Sequence, residues 1–233
     1  MDIRSIENGY LIAEAPGIIL GEKAKEQLKT LSAGCDDEMD EMLSEAAPLA
    51  VPKAVFTVAE VLHTAPDSVK VNGIEVKSEL MSKNFAGLSR AFPYICTVGA
   101  ELERWSEKYS GDPLSEYWAD EIKKAYLYAF IPSFRGAVAD RYGIKGRFPS
   151  MNPGSLEKEW PISGQEQLFS MLGGREAIKR NIGVTLTDSF LMLPSKTVSG
   201  ISFESEHDYE NCMLCPRVSC PNRRAKYDPS LVK

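Results

Sequence analysis

The sequence predicts an α+β fold, with an antiparallel or mixed twisted sheet packed by helices. Three observations predict it. Helical and strand patterns mix along the chain without the regular strand–helix–strand rhythm of a parallel sheet. An Asn72-Gly73 pair sits between two short alternations of apolar and polar residues, the signal of a tight hairpin. The longest helical pattern, Leu114 to Tyr142, has broad apolar faces, as a helix packed on a sheet requires. No fixed-period repeat or low-complexity tract is present.

The chain has 233 residues, 43% hydrophobic and 26% charged, enough to bury a core without staples. Its net charge of -6 and pI of about 5.2 disfavour binding to nucleic acid or an anionic membrane. No apolar run is long enough to span a bilayer, and Met1 to Glu7 lacks a basic-then-apolar signal pattern, so the expected compartment is the cytoplasm. Of five cysteines, Cys212, Cys215 and Cys220 crowd into the last segment, which in a reducing compartment points to metal or redox chemistry.

Asp2 to Ala50 reads as mostly helical, with leucines and methionines at helical spacing over Glu22 to Leu31 and Asp36 to Leu49, separated by Ser32-Ala33-Gly34. Val51 to Val61 is β-branched or small and reads as a strand. His63 reads as a structural histidine. Ser68 to Val76 is the hairpin, Ser78 to Ala91 an amphipathic helix and Tyr94 to Val98 a short strand ending at Gly99. Glu101 to Tyr109 is a helix that Asp112-Pro113 breaks. The long helix follows, interrupted at Pro132 and ended by Gly143 and Gly146. Ser163 with Glu166 forms a capping-box pattern for a helix to Leu172, Gly173-Gly174 stops it, and a short helix covers Glu176 to Asn181. Val184 to Met192 and Thr197 to Phe203 read as adjacent strands.

Between the long helix and Trp160 lies Arg147-Phe-Pro-Ser-Met-Asn-Pro-Gly-Ser155. Each proline fixes its own φ and pushes its predecessor out of the helical region, so this stretch is a stiff extended loop. Arg147 is suited to grip a carboxylate or phosphate bidentately, and Gly154 lets a ligand approach bare backbone. The residues alone leave two readings: one wall of a ligand site, or a plain proline-rich connection.

In the tail, Cys212-x2-Cys215 has the spacing that turns two thiolates onto one ion, and Cys220 follows. With His207 the three cysteines would make a Cys3His zinc site; without it they would hold an iron–sulfur cluster. Free thiols are the third reading. Arg217, Arg223, Arg224 and Lys226 make the tail locally basic, either as a solvated face or to dock on an acidic partner.

The C-terminal half resembles the activation (reactivation) domain of cobalamin-dependent methionine synthase and its stand-alone relatives. The resemblance rests on Arg147 with Pro153-Gly154, Gln165 to Leu172, Ile182 to Phe190, Met192-Leu193-Pro194 and Val198-Ser199-Gly200, across about a quarter of the chain. Cys96 to Glu103 also looks like the stand-alone relatives, and the cysteine tail like a subgroup associated with corrinoid methyltransferases. On this resemblance residues 96–209 are an activation-domain-like core, residues 1–95 the N-terminal helical and hairpin part of the same unit, and residues 210–233 a cysteine-rich metal-binding tail.

The resemblance implies a protein that binds S-adenosylmethionine in a shallow site and docks over the cobalamin of a corrinoid protein or corrinoid methyltransferase. With an electron from a reductase, Co(II) is returned to methyl-Co(III). Arg147, Pro153, Gly154, Ser155 and Tyr209 take the cofactor-binding positions, and Glu121 and Asp140 are candidates for the family's more N-terminal acidic ligands. The sequence departs from the pattern where Ser155 replaces a tyrosine, where the Arg-to-Gly segment is longer, and where Glu159-Trp160-Pro161 lies near the place of a His-Thr-Glu-Lys stretch. The alternatives are a non-catalytic corrinoid-protein binding module, or an iron–sulfur or zinc redox partner acting through the tail.

Overall fold

The computed structural model describes residues 1–32, 34–207, 209–220 and 223–229. Ala33 of the predicted break between the first helices, Asp208, and Pro221, Asn222 and Ser230 to Lys233 of the predicted tail lie outside the described residues.

The chain opens with β1 (Asp2–Ser5) and β2 (Leu11–Glu14), an antiparallel pair. This corrects the expectation of a mostly helical start. β2 also pairs with β3 (Lys53–Phe56), which buries Leu11, Ile12 and Ala13 between two neighbours. Such pairing outweighs weak local propensity. The predicted helices follow as α1 (Glu22–Leu31) and α2 (Asp36–Ala46), burying Leu28, Met39 and Met42. After β3 come β4 (Ala59–Ala65) and the hairpin β5 (Ser68–Val71) and β6 (Ile74–Lys77). Asn72 at φ 51 and Gly73 at φ 78 supply the two positive φ angles of the primed turn that the sequence predicts.

The helix predicted over Ser78 to Ala91 is shorter, α3 (Glu79–Asn84), capped by Ser78 Oγ, which accepts the Met81 N–H at 2.9 Å. Its expected last turn belongs instead to β7 (Arg90–Thr97), where Ala91 is fully buried. Residues 95 and 96 both lie inside β7. Next come α4 (Ala100–Glu107) and α5 (Pro113–Tyr142). Pro113 does not only end what precedes it; it opens α5 at the position where its missing N–H costs nothing. Pro132 does not interrupt α5, which runs continuously through it to a left-handed cap at Gly143. Residue 132 is exposed, so the carbonyl it leaves without a helical partner is not forced into the core.

Beyond α5 lie β8 (Ser150–Met151), α6 (Gln165–Met171), α7 (Arg175–Ile182), β9 (Thr185–Leu186), β10 (Met192–Leu193), β11 (Thr197–Ser202) and the short α8 (Asn211–Leu214). The capping box at Ser163 does not form. Ser163 lies inside a 3-10 turn, Ile162–Gly164, and Gly164 heads α6 without a side-chain cap. The two strands predicted as neighbours also part company. Val184 to Met192 folds on itself as β9 and β10 through a turn in which Thr187 Oγ1 accepts the Leu191 N–H at 3.0 Å, while β11 pairs with β7 and β8.

The main sheet is antiparallel and centred on β7. One edge of β7 carries β11; along the other, β3 and β4 form a single ladder in continuous register, broken only at Thr57-Val58. Successive β7 residues feed two cores. Phe92, Tyr94 and Cys96 join Ala54 and Phe56 under α1, α2, α4 and α5, whereas Ala91 and Ile95 join Val55 and Ile12 under α6 and α7. The result is an α+β fold with a helical layer on each face, and it places β8, β11 and their loops at the far side of β7 from β3. No helix among the described residues is long and apolar enough to cross a membrane.

Candidate functional site

The proline-rich stretch is extended, as its prolines require, and runs antiparallel to the chain from Ile201 to Ser205. Arg147 N–H donates to Ser205 at 3.0 Å and Ser205 N–H returns to Arg147 at 2.9 Å. Ser150 and Met151 face Ser202 and Ile201. Glycine is required at the crossing: a Cβ on Gly200 would lie 2.6 Å from Met151 O and 2.5 Å from Asn152 Nδ2. Arg147 is exposed at the start of this ladder, and four residues of extended chain carry Met151 about 13 Å away. Asn152 to Ser155 lies beyond the other end.

That loop is held by a network of polar groups. Asn152 Nδ2 donates to the Ser199 carbonyl and lies 3.4 Å from the Tyr94 hydroxyl, which in turn is 3.0 Å from Ser150 Oγ. Asn152 Oδ1 accepts Asn211 Nδ2 at 2.7 Å, and the same Nδ2 lies 3.4 Å from Ser155 Oγ. Asn211 Oδ1 accepts the Tyr209 hydroxyl at 2.7 Å. Alongside, Ser199 Oγ donates to Gln165 Oε1 at 2.9 Å, both residues buried. Burial, reinforced by the Glu159 and Glu210 carboxylates, pushes the Tyr209 hydroxyl well above its ordinary pKa, and burial does the same at Tyr94. Both therefore remain neutral, and Tyr209 is the donor to Asn211.

The structure thus brings Pro153, Gly154, Ser155 and Tyr209 to one place, joined through Asn211, and sets Arg147 on the other side of β8. Gly154 has φ 79, and the space its side chain would fill is taken by Ile162 Cδ1, 2.9 Å from an ideal Cβ. Its bare backbone is therefore used in part by the protein itself. Gly154 N–H donates to Trp160 O at 2.8 Å, closing the loop. Glu159 Oε2 accepts from Ser78 Oγ at 2.8 Å and from the Leu80 N–H at 2.9 Å, so it caps α3. Trp160 is buried and donates to Gln167 Oε1 at 3.0 Å. The stretch that departs from the methionine synthase pattern is thus a structural clasp. Glu121 pairs with Lys124 on the α5 surface, and Asp140 is exposed in the last turn of α5.

Asn152, Tyr94, Gln165 and Asn211, which form the polar network around this loop, were not legible in the sequence as its members. Asn152 lies in the stretch the sequence singles out, but an Asn before Pro is ordinary turn chemistry. Nothing local marks Asn211, whose partner Asn152 is 59 positions away.

The tail follows directly. Leu214 anchors it in the core, and Arg223 organises it. The Arg223 guanidinium donates to the carbonyls of Cys212, Cys215 and Arg217 at 2.7 Å and of Ala225 at 2.9 Å. The Arg224 N–H points at Cys212 Sγ, 3.5 Å away. Cys212, Cys215 and Cys220 are partly buried free thiols. His207 is exposed, its backbone held by Ser205 Oγ. Among the described residues no three His, Cys, Asp or Glu side chains stand close enough to hold a metal ion, so the predicted set Cys212, Cys215, Cys220 and His207 is not gathered. The loop is folded instead around the Arg223 guanidinium, which takes its carbonyls.

Clefts also lie elsewhere among the described residues. One of about 290 Å³ is lined by Tyr10, Gly173, Arg180 and Asn181; a shallower one of about 470 Å³ by His63, Thr64, Ser82 and Lys83. His63 Nε2 is 2.9 Å from Phe85 O and is engaged structurally.

The antiparallel sheet lies between two helical layers, with a loop pinned to its β8–β11 edge, and the architecture is α+β. Among solved structures the chain is similar to the MetH reactivation domain bound to AdoHcy, at a TM-score of 0.58 and 14% identity, covering 87% of this chain and 80% of that one. The two share a fold. No family model and no curated protein matches the chain.

Proposed function

We propose that the protein is an accessory of corrinoid-dependent methyl transfer. It binds S-adenosylmethionine along the loop from Arg147 to Ser155 and docks on a partner's cobalamin for reductive reactivation. The observation that carries the reading is the shared fold with a domain solved with AdoHcy, which is what S-adenosylmethionine becomes when its methyl group leaves. In the reaction, Co(II) takes one electron from a reductase and the methyl group from the sulfonium, giving methyl-Co(III) and AdoHcy. The protein's part is orientation. Arg147 grips the α-carboxylate, and the Gly154-Ser155 backbone, exposed beside the Tyr209–Asn211 pair, offers a surface to the nucleoside.

In the same reading the tail thiols are soft-metal ligands. The Cys-x2-Cys spacing and the Arg224 N–H aimed at Cys212 Sγ support this, and metal binding would require the loop to close around the ion. Stoichiometric zinc or iron in anaerobically purified protein tests it; absence of both ends it.

A calorimetric titration with S-adenosylmethionine tests the main reading. Saturable one-to-one binding is expected, followed by methylation of a Co(II) corrinoid protein under a reductant. Arg147→Ala should weaken binding by about 1.5–3 kcal/mol through loss of a charge-assisted contact. Absence of binding by the wild type overturns the reading and leaves corrinoid-protein docking without turnover.

A further inference from the structure

The hydrogen bonds linking Tyr209, Asn211 and Asn152 have one polarity. The Ser199 carbonyl only accepts, so Asn152 must turn Nδ2 toward it and Oδ1 away. Asn152 Oδ1 then takes Asn211 Nδ2, and Asn211 is left with Oδ1 for the Tyr209 hydroxyl. An asparagine is the residue that satisfies both neighbours at once; aspartate has no donor for Asn152, and leucine has neither group. Asn211 is also the first residue of α8. Cys212 comes next, and its carbonyl is one of those that Arg223 holds. The candidate ligand loop and the cysteine loop therefore meet at a single buried side chain, Asn211 being 9% exposed.

We propose that Asn211 is a positioning residue that holds the Asn152–Ser155 loop in its ligand-receiving shape and couples that loop to the cysteine loop. This rests on the reading of Asn152 to Ser155 as part of the S-adenosylmethionine site. Two contiguous hydrogen-bonded elements that share one latch open together, so a change at either loop is felt at the other.

The test is amide hydrogen exchange on the full chain. Asn211→Asp removes both donor contacts and keeps the acceptor for Tyr209; Tyr209→Phe removes only the hydroxyl that orients the amide. Each should raise exchange at Gly154 and Ser155 about tenfold, as loss of one buried hydrogen bond predicts, and leave Ile95 in the centre of β7 unchanged. Each should weaken S-adenosylmethionine binding by a similar factor. From the other side, Asn152→Ala should speed iodoacetamide alkylation of Cys212, followed by peptide mass spectrometry, about tenfold on the same ground. Unchanged exchange at Gly154 and Ser155 in both variants overturns the proposal. So does an equal rise at Ile95, which would mean general destabilisation, and so does an unmoved Cys212 rate. Wild-type protein that fails to bind S-adenosylmethionine while the exchange and alkylation responses appear as expected overturns the functional reading and leaves the latch standing.

Discussion

The face of the sheet under α5 and the edge around Asn152 hold their parts together by different physics. Under α5, Phe134 packs on Phe56 at 5.4 Å, on Tyr94 at 5.8 Å and on Phe130 at 6.0 Å between ring centroids. Each contact is non-directional and shares its work with neighbours, so stability is spread over area. Around Asn152 each amide hydrogen and carbonyl has its own partner, and a missing one leaves a buried polar group without replacement. On this contrast the first region is expected to set stability and the second the shape of a loop. Tyr94 belongs to both, with its ring among the aromatics and its hydroxyl beside Asn152 and Ser150.

The contrast can be broken at several points. Phe134→Ala removes the ring at the centre of the aromatic group and should cost about 3–5 kcal/mol in chemical unfolding; a loss below about 1 kcal/mol would show that this face is not the stability core. Gly200→Ala forces a methyl against Met151 O and Asn152 and should cost about 1–3 kcal/mol. It should also free the loop, seen as faster exchange at Ser155; stability loss without that response would separate β8 pairing from loop shape. Tyr94→Phe keeps the ring and deletes the hydroxyl, so about 1 kcal/mol is expected, with the change in exchange confined to the Asn152 side.

The smallest effect concerns the rim of the helical face. Glu45 on α2 accepts from Trp105 Nε1 at 3.1 Å, from the Tyr109 hydroxyl at 2.8 Å and from Lys108. The Lys108 hydrogen bond first, then those of Trp105 and Tyr109, hold its pKa down from 4.5 to about 2. A carboxylate with a folded pKa below its unfolded one contributes fully above pH 4.5, and that contribution is lost as pH falls from there through about 2. Its side chain is 37% exposed, so solvent screens the clasp. The urea midpoint should fall over that window in wild type and fall less in Glu45→Gln; identical profiles would remove Glu45 as the cause.

How much of this was legible follows from how local each signal is. α1 begins and ends where its leucine spacing indicates, and Asn72-Gly73 makes its turn, because the information lies within a few residues. β1 and β2 were hidden because a four-residue strand is stabilised by a neighbour, here β3, some forty positions away. The capping pattern at Ser163 failed because the chain enters α6 through the 3-10 turn Ile162–Gly164, which puts Ser163 inside that turn and Gly164 at the head of α6. For the candidate site, the sequence pointed to the loop and to Tyr209 but not to Asn211, which joins them by hydrogen bonds.

By itself, then, the amino-acid sequence determined the helices with strong periodicity, the hairpin, the stiff extended loop and the crowding of three thiols in the tail. These follow from backbone restriction and from the 3.6- and 2-residue periods. Only the tertiary structure decided that β11 pairs with β7, that Arg147 and Gly154 lie on opposite sides of β8, that Arg223 folds the cysteine loop, and that Asn211 joins that loop to Asn152. Those outcomes depend on hydrogen bonds between residues far apart in the chain, whose geometry exists only once the sheet has brought them together.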